Sequence, residues 1–250
     1  MNIRLYVASE KLIRDQIINI DDTDFNYLIK VMRCKTGDKI TVFNGKNGAW
    51  LAQIIVINKK NCQIQILQQT TEQYFPPRIA LAFAPVKNVR IDFIAAKATE
   101  LGITDFYPVI TKNTIVNKIN IKRFEANIKE AAEQCRRTDL PQIHQVTTLN
   151  KYIKSIKTEQ ILILCDESGS ADKAGKVLSN INYQKDKNQI VIFTGPEAGF
   201  AKEEFAAFNE LKNLHRISLG PRILRADTAI ISAITLVQEF LGDFNLKPQF

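Results

Sequence analysis

The spacing of apolar residues changes at Pro76-Pro77, and no other feature constrains the fold of this 250-residue chain as strongly. Before the prolines, short runs alternate apolar and polar residues: Lys39 to Phe43, Trp50 to Ile57 and Cys62 to Leu67. Turn chemistry separates them at Asn44-Gly45-Lys46-Asn47-Gly48 and at Asn58 to Asn61. Period-2 alternation between such turns means half-buried strands, here a small barrel or curled sheet. One short helix is expected from Asp22 to Met32, with Thr23 or Asp24 near its N-cap. The polar stretch Gln68 to Arg78, QQTTEQYFPPR, reads as a linker. After it, strand and helix patterns alternate, which requires an α/β domain with a mainly parallel sheet. Two domains follow, 1–70 and 71–250.

The expected strands of the second domain are Ile79 to Phe83, Asp105 to Ile110, Gln160 to Cys165, Gln189 to Thr194 and His215 to Leu219. The helices are Val89 to Leu101, Ile121 to Arg136, and a last one from Thr228 to just before Gly242. Ile91, Ile94, Ala95, Ala98 and Leu101 share one helical face, and Gly102 stands where a helix-ending glycine belongs. Ligands of parallel sheets sit beyond the carboxyl ends of the strands. Three loops are expected there: the turn after Cys165, Gly195 to Gly199, and Gly220 to Asp227.

The chemistry of these loops narrows the ligand. Gly195-Pro196-Glu197-Ala198-Gly199 lacks the Gly-Lys-Ser/Thr ending of a phosphate loop and is not GxGxxG, so ATP and NAD are poorly supported. Glu197 works against a triphosphate. An acidic turn with exposed amides suits a neutral or cationic ligand, such as an adenosine carrying a sulfonium. The same turn would also serve as a bare connection that needs glycine for a positive φ. Arg222 and Arg225, three apart before the apolar helix AIISAITLVQEFL, are placed to clamp RNA phosphate or a charged transition state, or are plain surface cations. Asp227 serves equally as an N-cap.

Bulk properties add exclusions. No apolar run reaches the roughly 20 residues of a membrane span. The start, MNIRLYVASEKL, has no signal-peptide pattern. Cys34, Cys62, Cys135 and Cys165 are scattered, against both a zinc site and a disulfide framework, and fit a reducing, cytoplasmic location. The two histidines, His144 and His215, suggest neither a metal site nor a triad, and His215 is expected to cap or precede its strand. A net charge of +8 modestly favours a polyanionic partner.

The segments GPEAGF and LGPRILRADTA resemble GPEGGF and LGxRILRxETA of the ribosomal RNA small subunit methyltransferase E family, within the SPOUT class. The likeness extends to Val31-Met32-Arg33, Gly37-Asp38, Phe43-Asn44-Gly45, Lys87, Asp92, Lys97, Glu100-Leu101-Gly102, Glu133-Gln134, Arg137 and Pro141. The chain departs at Ala198, Asp227, Tyr27 and Ala201. The resemblance implies a SPOUT-type α/β domain with a trefoil knot, behind a PUA-like β-barrel that binds RNA. It implies a homodimer formed through the first and last helices of the knotted domain. The implied reaction is S-adenosyl-L-methionine-dependent methylation of N3 of a uridine in the decoding region of 16S rRNA, in the assembled small ribosomal subunit. No metal or membrane partner is implied. The implied cofactor residues are Leu164, then Thr194, Gly195, Pro196, Glu197 and Gly199, then Leu219, Gly220, Ile223 and Leu224. Arg225 is expected near the reacting base and Arg222 nearer the cofactor. Glu197 or Asp227 is expected to take the proton, with Glu197 equally suited to binding backbone amides. Arg33, Arg90, Arg136 and Arg137 are candidate RNA contacts. A SPOUT enzyme acting on another RNA, or a non-catalytic RNA-binding assembly factor, are the competing readings.

Overall fold

The computed structural model of the chain describes residues 3–86, 88–116 and 118–247, with the side chains of 88–90 outside that description. The chain divides into two units, Met1–Phe75 with Ala132–Leu140, and Pro76–Ala131 with Pro141–Pro248.

The first unit is a five-stranded sheet. Its strands are β1 (Arg4–Tyr6), β2 (Ile17–Asp21), β3 (Lys39–Phe43), β4 (Ala49–Ile57) and β5 (Asn61–Thr71), in the order β1-β3-β4-β5-β2. β1 runs parallel to β3, and the other neighbours are antiparallel. The alternation in Ile40, Val42, Ala52, Ile54, Ile64 and Ile66 puts these side chains in one core with Leu5 and Leu28. The helix expected from Asp22 to Met32 is shorter. α1 covers Asp22–Phe25, and Asn26–Val31 is a wider π-helical turn. Its N-cap is Asp21, ahead of both Thr23 and Asp24. The expected seam at 70/71 falls at the end of β5, because that strand continues to Thr71 before the chain leaves the unit. β1 and β2 escaped the pattern because they are short and carry little alternation.

The second unit carries an eight-stranded sheet. Its elements are β6 (Ile79–Phe83), α2 (Asn88–Glu100), β7 (Asp105–Ile110), α3 (Ile121–Gln134), β8 (Gln142–Ile143), β9 (Thr147–Thr148), α4 (Leu149–Ser155), β10 (Gln160–Cys165), β11 (Asp172–Lys173), α5 (Ala174–Leu178), β12 (Gln189–Thr194), α6 (Lys202–Asn209), β13 (Leu214–Ser218) and α7 (Ala226–Leu241). The order is β11-β13-β10-β12-β6-β7-β8, with β9 beside β7, and every described pairing is parallel. β12, QIVIFT, is buried at all of its positions, as a central parallel strand with both faces covered must be.

α2 ends in a Schellman motif: Gly102 N–H donates to the Thr99 carbonyl, Ile103 N–H to the Ala98 carbonyl, and Gly102 takes φ 87°. Gln238 of α7 is almost fully buried. Its amide donates to the Leu101 carbonyl at 2.7 Å and accepts from Asp243 N–H at 3.1 Å, tying α7 to the end of α2. His215 lies within β13 rather than ahead of it, since that strand starts at Leu214. Arg225, not Asp227, occupies the N-cap of α7. The helix begins one turn earlier than its apolar run because Ala226 already packs into the core.

Candidate functional site

Three neighbouring strands build the site. β13, β10 and β12 lie side by side and parallel, so their carboxyl ends open at the same edge of the sheet. The loops that leave them enclose a cavity of about 220 Å³. The β10 loop contributes Cys165, Asp166, Glu167 and Gly169. The β12 turn contributes Thr194, Gly195, Pro196, Glu197, Gly199 and Phe200. The β13 loop contributes Ser218 to Leu224, followed by Ala226 and Ala229 of α7, and α6 adds Phe205.

The structure therefore brings Thr194, Gly195, Pro196, Glu197, Gly199, Leu219, Gly220, Arg222, Ile223 and Leu224 to one cavity. Leu164 does not reach it. Its side chain is fully buried in the core that β10 shares with Val191 and Phe193, one residue short of the loop. Arg225 is exposed beside the cavity rather than in its lining. Asp227 lies in the first turn of α7, and its carboxylate accepts the Thr228 N–H at 2.8 Å.

The departure at Ala198 carries no backbone strain, because the left-handed position of the turn falls one residue later, at Gly199 with φ 66°. Gly199 is also closely approached. A Cβ there would stand 2.0 Å from a Glu167 carboxylate oxygen. The loop after β7 holds this turn from outside. Asn113 donates to the Ala198 and Gly199 carbonyls at 3.3 and 3.0 Å. Lys112 N–H donates to Glu204 at 2.8 Å, and that carboxylate also accepts the Ala201 N–H at 2.8 Å. Glu204 thus caps α6 where Ala201 has no side chain to do so.

Thr194, the last residue of β12, lines the cavity. Thr194 Oγ1 is buried without a hydrogen-bond partner among the described residues. Glu167 and Glu197 add acidic character, and Gly195 and Gly220 leave backbone accessible. This donor and acceptor set fits a cationic nucleoside better than a polyphosphate. Burial pushes the Cys165 thiol well above its ordinary value, so it stays neutral beside the site.

The candidate RNA contacts divide. Arg33 and Arg136 are exposed, at φ 56° and 66°. Arg137 is mostly buried in a fork to Asp139, at 3.0 and 2.7 Å, so its guanidinium is already committed within the first unit. The Arg90 side chain and all of Lys87 lie outside the described residues. Asp92 pairs with Arg123 and accepts from Asn127 at 3.0 Å. Phe200, the last residue of GPEAGF, lines the cavity, as do Asp166, Glu167 and Phe205, which the sequence did not single out. Asp166 and Glu167 are signalled only by lying in the expected turn after Cys165. Among the described residues no cluster of His, Cys, Asp and Glu could hold a metal, and no helix is long and apolar enough to cross a membrane.

Comparison with known proteins agrees with this layout. A family model for an RNA methyltransferase domain matches residues 73–238, and one for an RNA methyltransferase PUA domain matches residues 20–67. Ribosomal RNA small subunit methyltransferase E of Rickettsia conorii is 33% identical, covering 94% of each chain. Its counterpart in Synechocystis is 31% identical over 96% of this chain and 78% of its own. Ribosomal RNA small subunit methyltransferase E from Neisseria gonorrhoeae, solved bound to S-adenosyl methionine, superposes with a TM-score of 0.85 at 27% identity, over 98% of this chain and 100% of that one. A Legionella pneumophila protein solved with the same cofactor gives 0.86 at 27% identity with the same coverage. With both domain models matched in order and the Rickettsia relative 33% identical over 94% of each chain, this chain belongs to the ribosomal RNA small subunit methyltransferase E family.

Proposed function

We propose that this protein methylates N3 of a uridine in the decoding region of 16S rRNA, within the assembled small subunit, using S-adenosylmethionine. The observation that carries the reading is the cavity at the β13-β10-β12 edge, formed by the very segments GPEAGF and LGPRILR. The acidic Glu167 and Glu197, the glycine backbone at Gly195 and Gly220, and a volume of about 220 Å³ suit the cofactor. When bound, it supplies a methyl group on a positively charged sulfur. The protein must then hold uracil N3 in line with that carbon, stabilise negative charge on the ring as the N3 proton leaves, and receive that proton. Arg225, exposed beside the cavity, is assigned to the uracil anion, and Arg222 in the lining to the cofactor side. Glu197 is the candidate acceptor of the proton.

The family reading extends to architecture: a trefoil knot in the second unit, a barrel-like closure of the first, and a homodimer. Phe93 on α2 and Phe240 on α7, both more than 40% exposed, support α2 and α7 as the dimer surface. Arg33 and Arg136 are assigned to RNA backbone, and the protein to the cytoplasm.

The test is mass spectrometry of nucleosides from unmodified small subunits incubated with protein and S-adenosylmethionine, beside naked rRNA. Cofactor-dependent 3-methyluridine on the subunits is expected, with Arg225→Ala slowing its appearance by about 10²-fold or more. A methylated nucleoside other than 3-methyluridine, or none with cofactor bound, would overturn the assignment of the target.

A further inference from the structure

We infer that Arg216 is a positioning residue for the cofactor cavity, a single guanidinium that fastens its three walls together. This rests on the reading of the cavity given above. Arg216 stands on β13, opposite Leu164 of β10, and its own strand leads directly into the wall formed by Ser218 to Leu224. Its Nε donates to Asp166 Oδ2 at 2.7 Å, and Nη2 pairs with the same oxygen. Nη2 also reaches Ser170 Oγ at 3.0 Å and Ser168 Oγ at 3.4 Å. The β10 loop is therefore held at its start and again four residues on. Asp166 completes this loop internally by accepting the Ser168 N–H at 2.8 Å.

The guanidinium also lies against α6, which backs the third wall. Arg216 Cζ lies 5.6 Å from the centre of the Phe205 ring. Phe205 packs edge-on against Phe200 at 5.9 Å, and Phe200 lies against Gly195, where an added Cβ would meet the ring at 3.1 Å. Phe205, Phe200, Gly195 and Asp166 all line the cavity, whereas Arg216 does not. It thus acts through them.

The chemistry requires arginine. Asp166 has no exposed side-chain surface, so its charge must be matched by directed donors. Lysine has one charged nitrogen on a flexible stem, and could not meet a carboxylate and two hydroxyls from one rigid fork. Burial pushes the Asp166 carboxyl up, but the Ser168 hydrogen bonds and Arg216 outweigh it and hold the group below the ordinary carboxylate range, which agrees with a permanently ionised anchor.

The test compares wild type with Arg216→Lys, Arg216→Ala, Asp166→Asn and the double variant Arg216→Ala/Asp166→Ala. Calorimetry measures S-adenosylmethionine binding, and initial rates separate KM from kcat. Arg216→Lys, which keeps the charge and loses the fork, is expected to weaken cofactor binding and raise its KM by about tenfold, the worth of one charged hydrogen bond. At saturating cofactor, kcat and affinity for small-subunit rRNA should stay within about threefold of wild type, a difference of under 1 kcal/mol. The double variant should bind cofactor no more weakly than Arg216→Ala alone, since one link is broken in both. Should Arg216→Ala fail to fold, Arg216→Lys and Ser170→Ala carry the test. Cofactor affinity unchanged in Arg216→Lys and Asp166→Asn, or rRNA affinity falling in step with it, overturns the inference alone. Wild-type protein that binds no S-adenosylmethionine overturns the functional reading beneath it.

Discussion

At the residue scale, Gly199 and Asp166 define what the cavity can tolerate. Gly199→Ala would strain a left-handed backbone position and push its new methyl group into Glu167. The backbone term alone is about 1–3 kcal/mol. The turn would shift rather than the whole fold fail, so calorimetry should show S-adenosylmethionine binding weakened by about tenfold or more, with the melting temperature lowered by a few degrees. Asp166 predicts a pH dependence. Its folded-state pKa lies below its unfolded value, roughly 3.9. The stabilisation is therefore complete above that value and is lost as pH falls through it toward the lower folded one. Urea midpoints measured from about pH 5 to about pH 3 should fall more steeply for wild type than for Asp166→Asn, which has no charge to lose.

At the scale of elements, α7 depends on one buried polar side chain on its apolar face. Gln238 is buried between the end of α2 and Asp243. Gln238→Leu would leave the Leu101 carbonyl without its donor, costing about 1–3 kcal/mol in chemical denaturation. β6, β7, β10 and β12 were legible in the sequence because each is a compact apolar run bounded by turn residues. β1, β8, β9 and β11 were not, since two or three residues set no period, and β2, IINID, has only one buried residue to mark a face. The cavity was legible from its glycines and prolines at strand ends. Asp166 and Arg216 were not. An acidic residue after a strand and an arginine within one look like ordinary surface until the pairing of β10 with β13 sets them together. Leu164, expected among the cofactor residues, stands one residue before the point where β10 stops being core. Arg137, a candidate RNA contact from the sequence, pairs with Asp139.

At the scale of the molecule, the excess of 34 basic over 26 acidic residues makes association with rRNA dependent on salt. Neutralising as few as two phosphates would lower affinity about tenfold between roughly 50 and 200 mM salt, and a filter-binding series should show at least that slope. The cavity walls come from Cys165–Gly169, from Thr194–Phe200, and finally from Ser218–Ala229. During synthesis at about 5–20 residues per second, the last wall emerges roughly 1.5–6 s after the second. A nascent chain therefore has no complete binding site until almost all of it has been translated. Unfinished or prematurely terminated chains would display the first two walls yet capture no methyl donor, so truncation products should not compete for it with the finished protein.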